Sequence, residues 1–209
     1  MNDRRHRFPS RPLLAALLAL SAALPACAPL IVGGAMAGGA MMAMDRRTSG
    51  IQVEDETIEL KASNRVSELA TLGHVNVTSY NRLVLVTGEV PTADDKAKIE
   101  AAIGRIENVQ KIVNELAVMA NSSFSARSND SLLSGKVKAS YVDAKDIQAN
   151  AIKVVTERGI VYLMGRVTER EANRASEIAR GVAGVQKVVR VFEILTEAEL
   201  NNLAKPPPK

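Results

Sequence analysis

One stretch of the sequence occurs twice, and this duplication limits what the chain can fold into. Residues 154–167 read VVTERGIVYLMGRV, in which two apolar runs flank Glu157-Arg158-Gly159. Residues 77–90 read VTSYNRLVLVTGEV, so that Gly88 corresponds to Gly165. Apolar runs on either side of a short turn predict a β-hairpin, with Gly159 free to take a positive φ. The chain therefore contains one small unit twice.

Each copy of the unit shows the pattern helix, strand, strand, helix, strand. Leu133, Val137 and Tyr141 recur at helical spacing ahead of the second hairpin, and an alanine-rich helix and a last apolar strand follow it. We expect an α+β fold with a three-stranded mixed sheet in each copy, covered by two helices on one face. Structural roles at turns and strand ends are expected for three glycines, Gly88, Gly159 and Gly165. Because each copy has only about 70 residues, we expect the two copies to pack together.

These patterns divide the chain into six segments. They are a signal peptide over 1–26, a tether and linker over 27–53, a first domain over 54–120, a linker over 121–130, a second domain over 131–196 and a tail over 197–209. Asn129-Asp130-Ser131 offers capping residues for the first helix of the second domain. The prolines near the C-terminus predict an extended or disordered end.

The N-terminus has the features of a lipoprotein signal. Four arginines precede the apolar run LLAALLALSAAL, whose twelve residues are too few to span a membrane but suit a signal peptide. The run leads to Leu24-Pro25-Ala26-Cys27, which resembles the bacterial lipobox. That resemblance implies cleavage before Cys27 and covalent lipid on its sulfur, and we expect no other cofactor. Ala28 stands where an aspartate would resemble an inner-membrane retention signal, so we expect a protein anchored in the outer membrane and facing the periplasm.

Residues 28–44 are apolar and rich in Gly, Ala and Met. Gly34 and Gly38 have the GxxxG spacing that lets helices approach each other closely in lipid. A flexible tether of small residues explains the same composition, and we favour the tether.

Charge is distributed unevenly between the two copies. Residues 51–121 hold 7 basic and 11 acidic side chains, whereas residues 122–209 hold 14 basic and 10 acidic ones. The asymmetry suggests that the second copy meets an anionic partner. Two ordinary solvated surfaces are the alternative.

The sequence offers no site for catalysis or metal binding. Hydrolysis needs a nucleophile, a base and an orienting group, and His74 is the one histidine outside the predicted signal peptide. A zinc site needs three or four clustered ligands, whereas the carboxylates are spread along helices. The basic second copy lacks aromatic platforms for stacking bases, which argues against nucleic acid as a partner. We therefore predict a protein that is not an enzyme.

The repeated unit resembles the BON domain, a small module of bacterial envelope proteins. The residues that carry this resemblance are the two hairpin stretches, the alanine-rich helices, and the motifs Asn108-Val109-Gln110-Lys111-Ile112 and Gly184-Val185-Gln186-Lys187-Val188. With the lipobox, the whole chain resembles the outer-membrane lipoproteins that carry two BON domains, and it is related to periplasmic, osmotically inducible BON proteins. The resemblance implies that the first helix of the second copy binds anionic phospholipid, supports outer-membrane integrity and helps to place the protein at division sites.

We assign the lipid contact to the helix that begins near Ser131. The predicted site residues are Leu132, Leu133, Lys136, Val137 and Lys138. Helical geometry turns Leu132 toward solvent between two lysines, while Leu133 and Val137 face the core. The family carries a tryptophan where this chain has Leu132. Two alternatives remain: Leu132 packs against the first copy, or the protein is a scaffold or assembly factor that binds envelope proteins, including outer-membrane assembly machinery.

Overall fold

The elements repeat in the order that the sequence predicts. The computed structural model describes residues 45–69 and 73–203. The first domain consists of α1 (Ser49–Leu69), β1 (His74–Tyr80), β2 (Leu83–Val90), α2 (Ala93–Ile103), β3 (Lys111–Asn114) and β4 (Ala117–Val118). The second domain consists of α3 (Phe124–Asp143), a 3-10 turn (Ala149–Ala151), β5 (Ile152–Glu157), β6 (Ile160–Thr168), α4 (Glu169–Gly181), β7 (Lys187–Leu195) and α5 (Glu197–Leu203).

Both domains build a mixed sheet around a central strand. In the first domain β1 pairs antiparallel with β2, while β3 and β4 pair parallel with β2. In the second domain β5 pairs antiparallel with β6, and β7 pairs parallel with β6. The predicted α+β fold is confirmed. One detail differs, because the predicted third strand of the first domain is interrupted where Leu116 N–H donates to the Asn114 side chain over 3.3 Å.

Alternate residues of the central strands serve two different cores. Val84 and Val86 of β2 face the helices of the first domain, and Val161 and Leu163 of β6 face those of the second. The opposite faces of the two sheets share a third core, which contains Tyr80, Leu85, Tyr162, Met164 and Val191. Since successive side chains of a strand point to opposite faces, each sheet is buried on both sides. The two domains therefore pack sheet against sheet, with the helices outside.

A buried aspartate from the first helix of each domain holds the hairpin turn of that domain. Each turn has two residues of positive φ, Asn81 and Arg82 in the first hairpin and Arg158 and Gly159 in the second. The Asp55 carboxylate accepts hydrogen bonds from both backbone amides of the first turn, at 2.7 and 2.8 Å. The Asp130 carboxylate does the same for the second turn, at 2.8 Å each. The duplication thus extends to a long-range contact between helix and turn.

Gly88 and Gly165 occupy matching positions in the two central strands, inside β2 and β6 and not at the expected strand ends. Gly88 pairs with Val75 across the first hairpin, and Gly165 pairs with Ile152 across the second. Both have a positive φ, and an added Cβ would lie 1.9 Å from the His74 carbonyl oxygen or 2.3 Å from that of Ala151. The neighbouring strand approaches too closely at these points for any residue with a side chain.

Polar side chains reinforce the contact between the domains. Arg158 donates from its guanidinium to the Gly88 carbonyl oxygen over 2.8 Å and pairs with the buried Glu89 carboxylate. The Asn76 amide donates to the buried Glu157 carboxylate over 2.9 Å. Burial raises the pKa of Glu157 despite that hydrogen bond.

The segment Asp45-Arg46-Arg47 ties the start of the described chain to both domains. The Arg46 guanidinium binds both carboxylate oxygens of Glu171 on α4, at 2.7 Å each. The Arg47 guanidinium pairs with Asp55 on α1 at 2.7 Å and lies 4.1 Å from the centre of the Tyr80 ring. Part of the predicted linker over 27–53 is therefore packed structure.

Three helices of the structure extend past the boundaries predicted for the domains. The helix α1 begins at Ser49 instead of near Glu54, because Thr48 accepts from the Ile51 amide. The helix α3 absorbs most of the predicted linker over 121–130, because the Ser123 hydroxyl caps it by accepting from the Ala126 amide over 3.2 Å. Asp130 consequently lies inside α3 instead of capping it. The predicted tail contains α5, whose start is capped by reciprocal hydrogen bonds between Thr196 and Glu199.

Several predictions lie outside the described residues. These are the signal peptide, the lipid on Cys27, the GxxxG pair and the proline-rich end from 204 to 209. All described residues fall in one compact unit that begins after residue 39, so a chain that starts at residue 45 retains every contact between them.

Candidate membrane-binding site

One face of α3 packs into the second domain and fixes the orientation of the helix. Leu133, Val137 and Tyr141 are buried, and the Tyr141 hydroxyl donates to the Ala175 carbonyl oxygen of α4 over 3.0 Å. Burial raises the pKa of Tyr141. Since Asp130 also binds the hairpin turn, α3 is held along most of its length.

The opposite face of α3 carries an apolar stripe that no described residue covers. The exposed fraction is 80% for Phe124, 66% for Leu132 and 72% for Val142. Gly135 and Ala139 are also exposed. At 100° per residue all five fall within an arc of about 80°. Exposed apolar side chains aligned along one face of a helix make this surface a candidate contact for an apolar partner.

Two lysines border this stripe, one on each side. Lys136 and Lys138 are exposed, and each lies about 40° beyond an edge of the arc. Between Phe124 and Val142, α3 has a single acidic residue, Asp130. Its carboxylate is buried against the hairpin turn. The exposed surface of α3 therefore carries no negative charge until Asp143, the last residue of the helix.

The structure separates the five predicted site residues into two groups. Leu132, Lys136 and Lys138 lie on the outer surface, whereas Leu133 and Val137 belong to the buried side of the helix. Leu133 and Val137 cannot touch a membrane, so their inclusion in the predicted contact is wrong. The alternative in which Leu132 packs against the first domain is also contradicted, because its side chain is largely exposed.

Sequence reasoning missed the two ends of the stripe, Phe124 and Val142. Phe124 was placed in a linker, because the predicted helix began near Ser131. Once α3 is known to start at Phe124, after the Ser123 cap, helical spacing alone places Phe124 and Val142 on the same face as Leu132.

The equivalent helix of the first domain has a different surface. When Asp55 is matched with Asp130, Thr57 takes the place of Leu132. Glu54, Glu56 and Glu59 take the places of Asn129, Ser131 and Ser134. Glu56 is exposed, whereas Glu54 and Glu59 are half-buried and pair with Arg82 and Lys153. These positions of α1 therefore carry carboxylates where the matched positions of α3 are neutral, which accounts for part of the charge asymmetry of the sequence.

Other chemistry has little support in this part of the chain. Within residues 45–69 and 73–203, no group of three or more His, Cys, Asp or Glu side chains could hold a metal ion. Both ring nitrogens of His74 contact other side chains, those of Asn76 and Arg127. No helix of the described chain is long and apolar enough to cross a bilayer.

Comparison with known proteins identifies the repeated unit. The BON domain matches residues 54–120 and residues 129–196. The chain belongs to the BON domain family. Both BON domains carry the contact between an aspartate and the hairpin turn. The first helix of the first domain also exposes two apolar side chains on one face, Val53 and Leu60, but no lysine pair borders them as Lys136 and Lys138 border the stripe of α3.

Three curated relatives extend this identification. The chain is 41% identical over 186 residues to the outer membrane lipoprotein DolP of Haemophilus influenzae, covering 87% of this chain and 95% of that protein. It is 32% identical to a 21 kDa hemolysin of Actinobacillus pleuropneumoniae, covering 71% and 78%. It is 29% identical to the osmotically-inducible protein Y of Escherichia coli, covering 56% and 57%. The chain is accordingly an outer-membrane lipoprotein with two BON domains, as its sequence predicts.

Proposed function

We propose that the chain is a non-enzymatic envelope protein that binds anionic phospholipid surfaces through α3 of its second BON domain. The observation that carries this proposal is the exposed stripe of Phe124, Leu132 and Val142, bordered by lysines and free of exposed carboxylates up to Asp143. Amphipathic helices with an apolar face and basic flanks bind at the interface of anionic membranes.

Each part of the stripe has a distinct role in this proposal. Leu132 and Val142 insert between head groups, where burial of apolar area drives binding. Lys136 and Lys138 meet lipid phosphates, and each contributes about 1 kcal/mol near an anionic surface. The family that this chain resembles carries a tryptophan where this chain has Leu132. Aromatic rings such as that of tryptophan favour the membrane interface. Phe124 supplies an aromatic ring on the same stripe, two turns before Leu132.

Anchoring adds to this contact. We propose that Cys27 carries the covalent lipid of the lipoprotein, on the evidence of the LPAC motif. A tethered second contact gains from a high effective concentration, so that a helix of weak intrinsic affinity still binds. Mass spectrometry of the mature N-terminus tests the assignment, and an unmodified Cys27 would contradict it.

Vesicle flotation with residues 45–209 tests the role of α3. We expect binding to vesicles of phosphatidylcholine with phosphatidylglycerol, little binding to phosphatidylcholine alone, and weaker binding at high salt because ions screen the lysines. Leu132→Glu should weaken binding roughly tenfold or more, since it places a charge where an apolar group inserts. Lys136→Glu combined with Lys138→Glu should do the same by reversing the attraction.

Leu60→Glu is the matched control. Leu60 lies on α1, and its exposed fraction of 65% equals that of Leu132 within one percent. This variant should bind as the wild type does. If every variant binds equally, or if the wild type ignores lipid charge, α3 is not the site, and the scaffold alternative with a protein partner from the outer-membrane assembly machinery becomes the better explanation.

We extend the proposal to a role in outer-membrane integrity at division sites, which the family resemblance implies. Fluorescence microscopy of the tagged chain checks it: the wild type should concentrate at midcell, and Leu132→Glu should spread around the envelope. An even distribution of the wild type would contradict this part of the proposal.

A further inference from the structure

The first domain contains a basic groove between α1 and the end of α2. Its volume is about 470 Å³, compared with about 310 Å³ for the pocket beside Tyr80 and Lys138. The lining residues are Lys61, Arg65, Ala102, Arg105, Ile106 and Glu107. Lys61 and Arg65 stand one turn apart on α1, while Arg105 is the second residue after the end of α2. Three cations therefore face one concavity in the domain that the sequence marks as acidic.

These cations differ from most others of their domain in having no described partner. Arg82 pairs with Glu54, Lys98 pairs with Asp94, and Lys96 donates to the Leu116 carbonyl oxygen. Within the described residues, the side chains of Lys61, Arg65 and Arg105 form no hydrogen bond or ion pair, and all three residues are exposed.

A purely local explanation accounts for one of the three. Arg105 lies next to the C-terminus of α2, where a cation interacts favourably with the helix dipole. Lys61 and Arg65 are like charges one turn apart in the middle of α1, an arrangement that is mildly unfavourable by itself. An anion bound in the groove would compensate this repulsion. Glu107 lowers the net positive charge but leaves it at two.

We propose that this groove is a second anion site, which binds the phosphate of a small phosphate ester. Guanidinium groups match phosphate oxygens with paired hydrogen bonds, and Arg65 and Arg105 supply two such groups. Ala102 and the buried Ile106 form an apolar floor for the carbon part of the ligand. The volume lies within the usual range for small-molecule sites. A lipid head group and a free phosphorylated solute present the same chemistry.

NMR titration of ¹⁵N-labelled residues 45–209 tests the site and separates the two sources. The probes are glycerol 1-phosphate, short-chain dihexanoyl phosphatidylglycerol below its micelle concentration, and glycerol as the uncharged control. We expect saturable shifts at residues 61–65 and 102–107 with at least one phosphate probe and none with glycerol. Shifts with the lipid alone indicate a membrane head group, whereas shifts with glycerol 1-phosphate alone indicate a soluble ligand. If neither probe shifts these residues at about 10 mM, well above a millimolar Kd, the site is refuted.

Variants of the two arginines connect the shifts to the groove. Arg65→Gln combined with Arg105→Gln should weaken binding at least about tenfold, since two charge-assisted contacts are lost. The matched control is Arg180→Gln, an exposed arginine near the end of α4. Equal affinity of the double variant and this control would overturn the proposal, provided that both spectra remain well dispersed. Leu132→Glu should leave phosphate binding in the groove unaffected. The proposal for the groove and the proposal for α3 can therefore be refuted independently of each other.

Discussion

At the scale of single residues, two glycines differ in the space that an added side chain would have. Gly165 faces the Ala151 carbonyl oxygen, whereas a Cβ on Gly135 would meet nothing within 4 Å. Gly135 lies inside α3, where glycine is less favourable than alanine by about 1 kcal/mol. The same substitution should therefore have opposite effects at the two positions.

We expect Gly165→Ala to lower the free energy of unfolding by about 3 kcal/mol, because the added Cβ forces the strands apart at a strained φ. Gly135→Ala should raise it by about 0.5–1 kcal/mol. Urea unfolding followed by circular dichroism measures both. Equal and small changes would show that β5 can move away from β6 at Gly165 without cost.

The site was predictable from sequence at the residues whose direction depends on helical spacing alone. Once Tyr141 is assigned to the core, a turn of 100° per residue is enough to place Leu132, Lys136 and Lys138 on the outer side of the helix. Leu133 is adjacent in sequence to Leu132 and has the opposite burial, which composition cannot reveal. The cations of the groove come from α1 and from the turn after α2. No pattern in the sequence brings Arg65 and Arg105 together.

At the scale of elements, Asp55 and Asp130 join each first helix to a hairpin far along the chain. Local patterns predicted the hairpins and the helix faces, because these depend on alternation and on helical spacing. They failed at Asp130, since Asn-Asp-Ser is typical of a helix start. The carboxylate instead binds turn amides 28 and 29 residues away. A contact of this range leaves no periodic trace in the sequence.

Replacing either aspartate should loosen its hairpin. Asp130→Ala should lower the free energy of unfolding by about 1.5–3 kcal/mol, because two buried amides lose a charged acceptor. Asp55→Ala should lower it further, since Asp55 also binds Arg47 and accepts from the Ser79 hydroxyl. Chemical denaturation measures the changes, with the exposed Asp143→Ala as the control. If Asp130→Ala matched that control, water would be replacing the carboxylate at the turn.

At the scale of the whole molecule, the two BON domains act as one body because their sheets share a core. The sequence predicted that they would pack, from the small size of each copy. It did not predict which faces would meet, because both faces of β2 and β6 are apolar and a continuous apolar run does not show which side takes the helices. Nor did it predict that Arg46 and Arg47 would bind residues of different domains.

The pair of Arg46 and Glu171 should make stability depend on pH. Burial alone would raise the pKa of Glu171, but hydrogen bonds from Arg46 and from the Thr168 amide outweigh it and hold the pKa below the usual 4.5. Since the folded pKa is depressed, this stabilisation is present above about pH 4.5 and is lost as the pH falls through the folded pKa.

Glu171→Gln should therefore lower the free energy of unfolding by about 3 kcal/mol at pH 7, and by progressively less in acid. Glutamine keeps the capping arrangement with Thr168, so the variant removes mainly the charge. Glu177→Gln, exposed on the same helix, should change little. A Glu171→Gln effect that stays constant from pH 7 to pH 3 would argue against the ion pair as its source.

Under the proposed lipidation of Cys27, the attachment of Arg46 and Arg47 to different domains has a mechanical consequence. Any pull along the tether reaches the molecule at these two side chains before it reaches α1. Glu171 passes the force to the second domain, and Asp55 passes it to the first. Because the force acts on both domains at once, a displacement of the membrane moves the two domains together and does not separate one from the other.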